Sequence, residues 1–90
     1  MSVDTPSNTA EADELCALIE HIATRLVDDP SSIRVEADQQ GPVIRVSLTI
    51  AEDEMGKVIG RGGSVARSMR TLLMVAASRR GLRSSLDIGN

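Results

Sequence analysis

The chain has 90 residues, 41% apolar and 26% charged, a globular composition that supports one domain around one core. It contains no Phe, Tyr or Trp, so the core must be aliphatic and no ligand can be held by aromatic stacking. Cys16 is the only cysteine, which excludes an intramolecular disulfide and a multi-cysteine metal site. The start "MSVDTPSNTAEADE" has neither the basic nor the apolar segment of a signal peptide, and no apolar run reaches the length of a membrane span, so the expectation is a cytoplasmic protein with no membrane partner.

Residues 1–10, rich in Pro, Ser, Asn and Thr, read as a disordered tail, with a single domain over 11–90. From Glu11 to Val27, Leu15, Leu18, Ile19, Ile22 and Leu26 recur on one helical face, acids occupy the first turn, and "DDP" at 28–30 marks the stop. "SIRVEAD" alternates Ile33, Val35 and Ala37 with charged residues. After the turn "QQGP", "VIRVSLTI" alternates Ile44, Val46, Leu48 and Ile50 with polar ones, and together the two segments predict an antiparallel hairpin.

"EDEMGKVI" suits one or two helical turns led by Glu52, Asp53 and Glu54, read as a solvated cap matched to the helix dipole. A glycine loop follows. Ser64 is placed to cap a further helix with the stripe Val65, Met69, Leu72, Leu73 and Ala76, and Gly81 to supply the left-handed residue after its end. "LRSSLDI" then reads as a strand, with Ser84 its one polar inward residue at a sheet margin. The sum is a two-layer α+β domain in the order α-β-β-α-α-β, a three-stranded sheet covered on one face by three helices.

Net charge is −3, but it is unevenly spread. Residues 1–55 hold three bases against twelve acids, and residues 56–90 hold seven bases against Asp87 alone. Such asymmetry fits a polyanion partner for the basic end, and fits a solvated surface equally well.

The segment "EMGKVIGRGGSVARSMRTLL", residues 54–73, concentrates the glycines. A Walker loop would need Lys-Ser or Lys-Thr after its last Gly, and none is present. The dinucleotide fingerprint fails too, because Val65 stands where its third Gly or Ala belongs and no acid follows at the ribose-binding distance. Cys16 and His21 lie about 500° apart around a helix and form no dyad. No catalytic residue, cofactor or metal site is therefore expected. What remains is Gly60-Arg61-Gly62-Gly63, a G-x-x-G between two helices, where missing Cβ atoms let a sugar-phosphate backbone approach and helix-start N–H groups meet phosphate.

"VIGRGGSVARSMRTLL" resembles the (V/I)-I-G-x-x-G core of KH domains, and the element order resembles the prokaryotic type II topology. The likeness extends over residues 12–88, through "DDP", the hairpin and the "RRGLR" strand entry, and is similar to the small bacterial single-KH proteins of the KhpA type. The resemblance implies that Gly60, Arg61, Gly62 and Gly63 clamp the backbone of single-stranded RNA. It further implies that Val58 and Ile59 line the apolar side of the groove, that Lys57 and Arg67 flank it, and that bases are read by backbone groups near Val46 to Thr49. Arg70 is a weaker candidate. Gly62 adds a flexible unit to the family's loop.

Proteins of this kind form homodimers and associate with a larger Jag (KhpB)-type KH protein linked to cell elongation and division, which implies an RNA chaperone or adaptor. The alternative is a protein-interaction module whose KH fold serves mainly dimerisation.

Overall fold

The structure, a computed structural model, describes residues 10–90. The tail expected over residues 1–10 lies outside the described residues, except for Ala10, which opens the first helix.

Helix α1 spans Ala10–Thr24, with Glu11 and Asp13 in its first turn. It ends three residues before the periodicity does. The N–H groups of Arg25 and Leu26 turn back to the carbonyls of Ile22 and Ala23, three residues earlier, and this tighter coil takes Leu26 and Val27 out of the helix while leaving both half-buried. A single 3₁₀ turn at Pro30–Ser32, capped by the Asp29 carboxylate, then leads into the sheet.

Strands β1 (Ile33–Gln40) and β2 (Val43–Ile50) pair antiparallel, with Gln40 opposite Val43. Only Gly41 and Pro42 turn the chain, fewer than the four-residue "QQGP" turn expected. Gly41 takes φ +59°, the positive value a type II′ hairpin needs at its first central residue. Along β2 the alternation is complete: Ile44, Val46, Leu48 and Ile50 are at most 1% exposed.

Strand β3 (Arg83–Gly89) pairs with β2 in parallel, giving the order β1-β2-β3. A parallel pair requires a crossover, and α2 (Met55–Ile59), the glycine loop and α3 (Ser64–Ser78) provide it. Helices α1 and α3 lie on the sheet and on each other, and the short α2 packs on α3. Helix α3 closes in a Schellman arrangement, with Leu82 N–H bonded to Ala77 O, Gly81 N–H to Ser78 O, and Gly81 at φ +73° as expected.

The ring-free core joins Leu15 and Ile19 of α1, the inner face of β2, Val58 of α2, Met69 and Leu73 of α3 and Leu86 of β3. Of the stripe expected on α3, Met69 and Leu73 are buried, Val65 and Ala76 pack half-buried against the core, and only Leu72 departs. Ala66, Met69, Leu73 and Ala77 are buried, whereas Leu72 is 51% exposed with Met74 and Val75 beside it. Leu72 and Leu73 are about 100° apart on the helix, and only the second faces the sheet.

Leu73→Ala should cost about 2–5 kcal/mol in urea unfolding and Leu72→Ala less than about 0.5 kcal/mol, since only the first opens a cavity. Equal losses would contradict this packing.

Candidate nucleic-acid interface

Helix α2 is five residues long and stops at Gly60, whose φ of 78° and ψ of 173° fall in a region open essentially to glycine alone. A Cβ built on Gly60 would collide with the side chain of Val65. Gly62 (φ 62°, ψ 18°) and Gly63 (φ 79°, ψ 14°) are left-handed as well, so the chain reverses within one 3₁₀ turn at Arg61–Gly63. Gly63 N–H bonds to Gly60 O and Ser64 N–H to Arg61 O, leaving the N–H groups of Arg61 and Gly62 outside the loop's own bonds. Ser64 is not the cap anticipated. Gly63 occupies the cap position and no side chain bonds to the helix start.

Arg61, within the loop, is exposed. Arg67, one turn into α3, donates from Nη1 to Gly62 O at 2.8 Å and so lies over the loop. Arg70 donates from Nε to Leu86 O at 3.3 Å, tying α3 to β3. Among the apolar residues expected at the groove, Ile59 is half-buried. Val58, by contrast, is wholly in the core and supports the loop from beneath.

Lys57 is engaged elsewhere: its Nζ contacts Asp28 Oδ2 at 2.6 Å and Glu54 Oε1 at 3.1 Å. Glu54 departs furthest from expectation. It is 7% exposed rather than a solvated cap, and it accepts the N–H groups of Asp28 and Asp29 as well as the Ser32 hydroxyl. Glu52 and Asp53 do face solvent. The Asp28 N–H bond, followed by Lys57, holds the Glu54 carboxyl below its ordinary pKa; Asp28, then Glu54, raises that of Lys57.

The backbone of β2 from 44 to 49 is paired on both sides, so the base-reading position expected near Val46 to Thr49 is closed. The sheet edge beside α3 belongs to β3. The expectation for β2 did not include its second partner, because the parallel crossover that brings β3 alongside is not a local feature.

Two surface depressions of similar volume differ in charge. One, about 680 Å³, runs between α1 and β1 past Asp13, Glu36 and Asp38, with Arg45 as its single base. The other, about 690 Å³, lies on α3 beside the loop along Ser64, Arg67, Ser68, Thr71 and Leu72 and contains no acid. Only the second suits a polyanion. Cys16 in the first donates its thiol to Val35 O, and burial together with Glu20, Asp13 and Glu36 pushes its pKa up, away from a reactive thiolate. His21 is exposed and accepts from Arg25 Nε at 3.2 Å.

A family model described as the KhpA/KhpB KH domain matches residues 17–88. A protein of Halalkalibacterium halodurans named RNA-binding protein KhpA is 41% identical over 71 residues, covering 79% of this chain and 93% of that protein. Proteins of the same name from Treponema pallidum and Chlamydia pneumoniae are each 38% identical, covering 79% and 76% of this chain and 89% and 87% of theirs.

Gly60→Ala should destabilise the fold by more than about 1 kcal/mol in thermal unfolding, while Gly62→Asn, which has open space and a left-handed φ that Asn tolerates, should cost less than that. A second expectation concerns pH. A carboxyl with a depressed folded pKa contributes stability that is present above its unfolded pKa, near 4.5, and lost as pH falls through the folded value. Protection factors of the hydrogen-bonded amides at Met55–Gly63, taken relative to the intrinsic exchange rate at each pH, should therefore stay flat from neutrality down to that pH and fall below it in wild type, whereas Glu54→Gln should show no such step.

Proposed function

The chain belongs to the KhpA/KhpB family of KH-domain proteins, and on that premise we propose that it binds single-stranded RNA without catalysis, through the loop Gly60-Arg61-Gly62-Gly63. The observation that carries this reading is the loop itself. Three glycines with positive φ bring backbone to the surface at the head of α3, the N–H groups of Arg61 and Gly62 are outside the loop's own bonds, and the Arg61 side chain is exposed. The names of the relatives, which describe RNA-binding proteins, support it.

In this reading Arg61 and the loop amides take phosphates, Gly60 and Gly63 admit the backbone, and Ile59 offers aliphatic surface while Val58 sustains it from below. Arg67 lies close enough to share the same phosphates once it turns from Gly62 O. Without aromatics, contact is mostly with the backbone, and the preference among bases is weak. About four nucleotides fit one KH groove, so useful affinity calls for a second groove. A homodimer or a complex with a larger Jag (KhpB)-type protein would supply one. That partnership, an RNA chaperone or adaptor role tied to cell elongation and division, and a cytoplasmic location rest on the family resemblance. Among the described residues no helix is long and apolar enough to cross a membrane.

One observation favours the alternative of a module devoted mainly to dimerisation: Leu72, Met74 and Val75 expose 51%, 57% and 47% of their surface on α3.

Titrating labelled single-stranded RNA at two salt concentrations separates these readings. Wild-type affinity should fall with salt, and Arg61→Asp combined with Gly62→Asp should weaken binding more than about tenfold while keeping the fold, because Gly62 faces open space and Asp tolerates a left-handed φ. Equal binding by both proteins would contradict the clamp. Loss of self-association on Leu72→Ser with RNA binding unchanged would favour the alternative.

A further inference from the structure

Glu54 is the only buried charged side chain among the described residues, and both of its oxygens are in use. Oε1 accepts Asp28 N–H at 2.8 Å and Lys57 Nζ at 3.1 Å; Oε2 accepts Asp29 N–H at 3.1 Å and the Ser32 hydroxyl at 3.3 Å. Lys57 reaches back to Asp28 Oδ2 at 2.6 Å, closing the cluster. These bonds join the start of α2 to the connection between α1 and β1, segments 22 to 29 residues apart in sequence.

Helix α2 needs such a tie. A five-residue helix has too few internal bonds to fix its own direction, and Gly60, directly after it, has no side chain with which to brace the chain. Val58 and Met55 anchor one side of α2 in the core; among the described residues the side-chain polar bonds that tie α2 to the chain before β1 are those of Glu54 and Lys57. The start of α2 is thus held at Glu54, while the Gly60–Val65 contact constrains the reversal that follows it.

The same geometry argues against a phosphate on Lys57. The ammonium sits between two carboxylates, so the trio of Asp28, Glu54 and Lys57 carries a net negative charge, and the Asp28 side chain is 88% exposed where an anion would approach. Asp29 adds a further carboxylate, turned toward the Ser31 N–H and hydroxyl, and Glu52 and Asp53 are exposed nearby in sequence. An anion approaching this side of the loop is repelled.

We infer that Glu54, Lys57 and Asp28 form a staple that fixes the geometry of the glycine loop, and that Lys57 is a positioning residue rather than a phosphate contact. The part concerning RNA rests on the reading under Proposed function; the staple itself does not.

Two measurements on the full chain test it. In the first, a labelled oligouridylate is titrated over a salt series with wild type, Lys57→Gln, Glu54→Gln and Arg61→Gln. Lys57→Gln and Glu54→Gln should each weaken binding about fivefold by loosening a preorganised loop, with the slope of log affinity against log salt unchanged. Arg61→Gln should lower that slope by about 0.7, the loss of one phosphate contact on a single strand. A fall in slope for Lys57→Gln matching that of Arg61→Gln, or wild-type affinity in both staple variants, would overturn the assignment. In the second, amide exchange is followed without RNA. Lys57→Gln and Glu54→Gln should speed exchange at the hydrogen-bonded amides of Gly60, Gly63 and Ser64 more than about tenfold, with Val46 and Leu48 unaffected. Unchanged loop exchange would overturn the staple whatever the titration gives, and if wild type binds no RNA, the proposed function fails while exchange still decides the staple. Should Glu54→Gln lose its fold, Lys57→Gln and the exposed Asp28→Asn carry both measurements.

Discussion

No side chain fits between Gly60 and Val65, and the glycine loop, the start of α3 and the exposed position of Arg61 all depend on that contact. Because Val65 sits against the Gly60 backbone, the chain must reverse within three residues, and it does so only by placing Gly62 and Gly63 in left-handed conformations. Those conformations direct backbone outward at the head of a 15-residue helix, where the dipole favours an anion. The loop's shape is thus set by its own backbone and packing, which would lower the ordering cost of the strand binding proposed above. Val58 beneath and Glu54 at the far end of α2 hold the approach to it.

Charge is sorted by element. Helix α3 contains Arg67 and Arg70 and no acid, while α1 carries Glu11, Asp13, Glu14 and Glu20. Arg80 and Glu14 connect the two at 2.8 Å near the far end of α3, away from the loop. A protein of net charge −3 therefore presents a basic helix head beside the loop, with no acid on α3 to oppose an anion there. Around that head the arginines have protein partners in the free state: Arg67 on Gly62 O and Arg70 on Leu86 O. Among the described residues Arg61 has none, and it is exposed.

The local periodicities in the sequence carried most of the fold. Alternation from Ile44 to Ile50 located the central strand, and Gly81 located the end of α3, because both depend on near neighbours. What escaped reading was long-range. Glu54 looks like one of three equivalent cap acids until the chain near Asp28 and Ser32 folds over it. Leu72 and Leu73 are equally apolar, and only the side on which the sheet lies distinguishes them. The loop was legible from its glycines, whereas the burial of Val58 and the pairing of Lys57 required the packed structure. The position of β2 between two partners, which closes its backbone to a ligand, likewise follows from a crossover that no local pattern announces.

The most direct test of strand binding at the loop is an NMR titration of the isotope-labelled protein with a short single-stranded RNA, following every backbone amide. Binding through the loop predicts that the amides of Gly60, Arg61, Gly62, Gly63 and Ser64 shift most, with those of α1 and β1 unmoved. Shifts concentrated on α1 and β1, or along Leu72 to Val75 with the loop amides unchanged, would contradict it.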